Sequence, residues 1–289
     1  MKIPFKKAFI LTCCSAVCFL LVRILQLLFC VETKTGFFKA GYIVIGTELS
    51  IVVFSFIFLC FLFSFLEKKV PSAYPKTTLP LAIGYFVVAL FVVFDLIFFP
   101  NTFSAPKIQK IIYLIFGIVT VATFLISGIT YFFKFKILKF SSESLVSYRE
   151  ITVPVILLFW IIRTIIFFTF YTEVAVISDL VFEILSQLSV MVLLLYFSFF
   201  INKVENVRTE KLMLPLFVLS FLTSLCASLP KLCIFLFGFK EKLHSFNINN
   251  VTTFGICSFL CLLYFYLFGE DNLKEKTKRH VKEKNRFIK

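Results

Sequence analysis

The chain is predicted to be an all-α integral membrane protein of about eight transmembrane helices, arranged as a 4+4 tandem repeat of parallel orientation. Three observations lead there: a composition suited to lipid, eight long apolar runs, and a set of residues that recurs about 135 positions along the chain. Hydrophobic residues make up 60% of the sequence and charged ones 16%, with a mean hydropathy of +0.98. Soluble globular domains are about half apolar and a quarter charged. A spanning helix uses roughly 20 apolar residues, so 289 residues divided among spans and short loops leave no room for a sizeable soluble domain.

The predicted spans are 7–30, 41–66, 79–100, 111–133, 151–171, 175–201, 212–237 and 251–269, each an apolar run bounded by charge clusters, Pro or Gly. The first follows Lys2, Lys6 and Lys7, as a signal peptide would. Its apolar run is longer than a signal's hydrophobic region, contains Arg23 and has no A-x-A-like end, so it is read as a retained span. The units that follow are 1–133 and 151–269, joined by a cytoplasmic segment at 134–150 and ending in a basic tail at 270–289.

Orientation follows from where Lys and Arg fall. Of the 30 basic residues, most lie at the N-terminus, in the alternate loops on the same side and in the tail. The opposite loops hold only Lys34, Lys39, Lys107, Lys110, Lys240 and Lys242. Both termini are therefore expected in the cytoplasm of a multi-pass protein of the cell membrane, with a Phe, Ile and Lys bias that fits a bacterial plasma membrane.

The repeat rests on order more than on any one match. Arg23 and Arg163 recur 140 residues apart, Glu48 and Glu183 by 135, and Phe63-Ser64-Phe65 returns as Phe197-Ser198-Phe199. Leu79-Pro80-Leu81 opens the third span as Leu214-Pro215-Leu216 opens the seventh, and Phe116-Gly117-Ile118 returns as Phe254-Gly255-Ile256. A four-span unit inserts the same way up each time, so its copies are related by an axis along the membrane normal.

Ionisable groups within spans face a partner or a wet cavity. Counting about 1.5 Å per residue from the helix ends, Arg23, Glu48, Asp95, Arg163, Glu183 and Lys231 fall in one layer in the outer half of the bilayer, with Asp179 nearer the surface. Gln26 follows Arg23 by three residues and Gln187 follows Glu183 by four, which extends each charge along its helix face. Two readings follow. In one, the layer lines the polar cavity of a small-molecule transporter or permease-type component, with the cations holding a small polar or anionic ligand. In the other, the charges are structural ion pairs of a non-enzymatic membrane sensor or assembly scaffold that contacts a membrane-protein partner.

Several chemistries are not expected. The two histidines, His244 and His280, lie in a loop and in the tail, away from where a haem, a helical zinc site or a Ser-His hydrolase would need them. No P-loop or G-x-S-x-G sequence is present, and no enzyme activity, metal or cofactor is expected. The nine cysteines sit mostly in apolar runs and read as small packing residues. The net charge of +14 is placed to meet anionic headgroups at the cytoplasmic face, with no nucleic acid as partner.

Overall fold

The computed structural model describes residues 5–34, 37–65, 79–102, 107–136, 153–166, 178–201, 207–243, 251 and 253–264. The described part is all-helical, with one isolated antiparallel bridge between Val31 and Phe38. In chain order the helices are α1 (Phe5–Leu25), α2 (Ile43–Phe65), α3 (Leu79–Thr102), α4 (Lys107–Lys136), α5 (Val153–Ile166), α6 (Ser178–Ile201), α7 (Val207–Leu236) and α8 (Thr253–Tyr264).

Five stretches are long and apolar enough to cross a membrane: Phe9–Cys30, Ala40–Leu62, Lys107–Thr130, Val181–Phe199 and Leu212–Leu236. Three more apolar helical stretches, Ala82–Ile97, Val153–Ile166 and Thr253–Tyr264, are shorter within the described residues. The protein is thus a multi-pass helical membrane protein. The segment 137–152, most of the expected cytoplasmic connection, lies outside the described residues, as does the tail 270–289.

The apolar surface is turned outward, as lipid permits. Ile10, Val17, Leu21, Val44, Ile51, Phe58, Ile108 and Ile111 are all exposed. In a bilayer such surface gains nothing from burial, so packing and hydrogen bonding decide what goes inside. That inside position belongs to α7, which packs against α1, α2 and α6, while α3 packs on α4.

Small hydroxyl residues explain the choice of α7. Ser186 and Ser224 share a hydrogen bond of 2.7 Å, Ser189 and Thr223 another of 2.7 Å, and Ser220 donates to the Ser189 carbonyl at 3.0 Å. These bonds tie α6 to α7 through side chains short enough to let the backbones approach closely. Prolines at 215 and 230 lie within α7, each removing one rung of its backbone ladder.

Glycine sets the distance between α3 and α4. A methyl at Gly117 would overlap Leu96 Cδ2, so Leu96 occupies the space a larger residue would need. Beyond α1 the helix widens into one π turn, Gln26–Cys30, and the chain folds back through Glu32 N–H to Phe37 O and Lys39 N–H to Cys30 O, both 2.8 Å. This loop lays Phe38 against α2, where a methyl at Gly46 would lie 2.6 Å from its ring.

Candidate functional site

Three polar clusters sit in the bundle, each built from residues of different helices. In the first, Arg163 of α5 reaches Asp95 of α3, Nε to Oδ2 at 2.9 Å. Tyr113 of α4 donates to the same carboxylate at 2.6 Å. All three residues are about 1% exposed. The guanidinium also lies 5.6 Å from the Trp160 ring centre and 5.4 Å from that of Phe254, so α3, α4, α5 and α8 converge on a single cation. Buried charge is tolerated only with this density of partners.

In the second cluster, Lys231 of α7 donates to Glu183 of α6 at 2.6 Å, with both side chains buried. Lys231 directly follows Pro230, whose ring cannot donate a backbone bond. The charge therefore sits at an interrupted point of the most enclosed helix.

The third cluster is organised by an amide. Arg23 Nη1 donates to Gln26 Oε1, and the Gln26 amide nitrogen donates to the Gly46 carbonyl and to Ser50 Oγ, both at 2.7 Å. Gln26 thereby uses its carbonyl and both N–H groups to couple α1 to α2. The Arg23 guanidinium lies 4.3 Å from the centre of the Phe182 ring, which itself stacks on Phe54 at 5.0 Å. Cation–π contact of this kind strengthens where water is excluded.

Within the expected layer the partners are specific. Arg163 meets Asp95, and Glu183 meets Lys231. Glu48, expected in the same layer, is exposed. The reason is rotational: Gly46 and Ser50 are four apart and share the face that Gln26 grips, whereas Glu48 lies midway between them, about 200° round the helix from each. Asp179 lies in the first turn of α6, and its side chain is outside the described residues.

Gln187 is fully buried, and neither atom of its side-chain amide has a hydrogen-bond partner. Its backbone carbonyl accepts the Trp160 indole N–H at 3.3 Å. Tyr113, Trp160, Phe182 and Phe254 join the layer without being marked by the charge pattern. Tyr113 does carry a readable signal: it lies six residues inside Lys107, and Asp95 seven inside Thr102, so their depths match at about 10 Å.

A cavity of about 110 Å³ lies beside these clusters, among helices α3 to α8. Its wall is almost wholly apolar and includes Trp160 and Thr253, while Arg23, Asp95, Arg163, Glu183 and Lys231 take no part in it. Among the described residues no group of three or more His, Cys, Asp or Glu is placed to hold a metal ion. Compared with known protein families, characterised proteins and solved structures, the chain matches none.

Proposed function

We propose that the chain is a non-enzymatic membrane sensor or assembly scaffold whose buried charges are cross-ties between helices. The observation that carries this reading is that Arg163 and Lys231 are each bound to a buried carboxylate of another helix, leaving their charge directed at the protein itself. In this reading the tail 270–289 and the connection 134–150 are the contact surfaces for a membrane-protein partner or for anionic headgroups. Deleting residues 272–289 tests it. The shortened chain should stay monodisperse in detergent and lose either its partner crosslinks or its retention on anionic vesicles. If both binding properties persist undiminished, the tail has no such role.

The same proposal takes the eight predicted segments as eight spans in two four-helix units, with both ends cytoplasmic in a bacterial plasma membrane. Glycine supports the repeat: Gly117 of α4 abuts Leu96 of α3, and Gly255 of α8 faces Ser228 of α7, so each Phe-Gly-Ile segment meets the third helix of its own unit. Attaching a reporter enzyme after residues 136 and 243 checks the topology, since the two sites should report opposite sides.

A second reading, a small-molecule transporter or permease-type component, draws support from Pro230 beside Lys231, a point at which α7 can hinge and open the layer. Ser186→Cys discriminates, in a chain whose native cysteines are replaced by Ala. Reaction with a membrane-impermeant thiol reagent favours the transporter, and protection favours the scaffold.

A further inference from the structure

A groove of about 640 Å³ lies between α3 and α4. Val93 and Ile97 of α3 and Ile111, Leu114 and Ile118 of α4 help to line it, and Lys110 stands at its loop end. Spacing accounts for the two sides: Val93 and Ile97 are four apart, and positions 110, 114 and 118 recur every four residues, so each set forms one stripe of its helix. Leu96 also lines the groove and occupies the space that a methyl at Gly117 would need, which lets the two backbones approach closely.

Ile97, Ile111, Leu114 and Ile118 are all exposed, so bilayer hydrocarbon reaches this surface. From Lys110 to Val121, the last wall residue on α4, the helix rises about 16 Å. That is roughly half of a ~30 Å hydrocarbon core, the depth filled by the chains of one leaflet.

Among the described residues Lys110 is the one charged group in the lining, and no carboxylate pairs with it. Asp95, on the neighbouring helix, is committed to Arg163 and Tyr113. α4 also opens on Lys107, one turn before Lys110, and has no acidic residue in its first turn. Cations at a helix N-terminus run against the helix dipole, whereas an anion there is favoured. A lysine stem can lie along apolar surface while its ammonium reaches headgroup level.

We propose that the α3–α4 groove binds an anionic phospholipid, with an acyl chain along the two apolar stripes and the phosphate at Lys110, assisted by Lys107. In the proposed topology this end lies on the face opposite the tail, so the site is separate from the headgroup contacts assigned to residues 270–289. It is also independent of the cross-tie role of the ion pairs.

A tryptophan placed in the groove reports which lipid lies against it. Leu114→Trp is introduced into the full chain, and the wild type supplies the background from Trp160, which is buried. The protein is reconstituted in equal mixtures of phosphatidylglycerol and phosphatidylcholine, with mid-chain bromines, which quench tryptophan at contact, on one lipid or the other. Brominated phosphatidylglycerol should be preferred about fivefold, as one lysine near the headgroups provides. Adding Lys110→Gln should abolish most of that preference, and Lys110→Arg should keep it. Ile51→Trp is the control at matched depth, since Ile51 is eight residues inside α2 and Leu114 seven inside α4; with Glu48 exposed one turn away, it should show no preference for the anionic lipid. Should Leu114→Trp not stay monodisperse, Ile118→Trp replaces it. Equal preference at the groove and the control, or a preference that survives Lys110→Gln, overturns the site. Weak quenching by both lipids at position 114 overturns it too, because a protein helix would then fill the groove.

Discussion

The central stretches of α7 and α2 are both strongly apolar, yet 83% of the one is buried and 22% of the other. In water, apolar character would draw both inward. In lipid it draws neither, because the surroundings are as apolar as the interior. What distinguishes the central stretch of α7 is its content of small polar residues and Lys231, which find partners inside the bundle. Val44 and Ile51 of α2, both over 60% exposed, need no such partners. Position in this bundle therefore follows polarity, with apolar surface as the filler.

Four tests press on that contrast. The largest effect is expected from Lys231→Met, which strands the Glu183 carboxylate. Removing one partner of a buried pair costs about 3–5 kcal/mol, so unfolding in mixed micelles should shift strongly, and the double variant Glu183→Gln with Lys231→Met should recover much of the loss. A recovery of nothing would show that the pair is not the source of the stability.

Next come Leu222→Ala in α7 and Ile51→Ala in α2, the first 0% and the second 63% exposed. Truncating a core leucine in a soluble protein costs about 2–5 kcal/mol, part transfer and part cavity. With the transfer part largely absent in lipid, about 2 kcal/mol is expected for Leu222→Ala. Ile51→Ala should melt with the wild type. Similar losses at both sites would break the comparison.

Gly117→Ala tests the close packing of α3 on α4. Leu96 must move to admit the methyl, and overpacking of this kind costs about 1–3 kcal/mol. Gly41, where a methyl would meet nothing within 4 Å, offers the matched control, and Gly41→Ala should leave the melting temperature unchanged.

The smallest effect is expected from Thr223→Val, which keeps shape and removes the hydroxyl that meets Ser189. Interhelical hydrogen bonds in membranes average about 0.6 kcal/mol. A loss several times larger would mean that the hydroxyl ladder, and not the ion pair, holds α7 in place.

Much of this architecture is legible in the sequence. Helices occupy the predicted stretches wherever those are described. Burial of the intramembrane charges is readable too: of the predicted layer, Arg23, Asp95, Arg163, Glu183 and Lys231 are buried. Partners are not. Two groups at one depth meet only if their helices are neighbours and are rotated toward each other, and neither fact is written in hydropathy. Glu48 fails on rotation, lying on the face of α2 away from Gly46 and Ser50. Arg163 takes its partner from α3, a helix of the other predicted unit, because tertiary packing brings α3 and α5 together.

That last bond bears on how the protein is made. Asp95 and Arg163 are 68 residues apart, and ribosomes add about 5–20 residues per second. The carboxylate thus emerges roughly 3 to 14 s before the guanidinium it ends up holding. During that interval Tyr113 is the only one of its two described side-chain partners already synthesised. Until the fifth helix is made, the third has no Arg163 to meet. The cross-tie of the third helix is therefore completed only by the fifth.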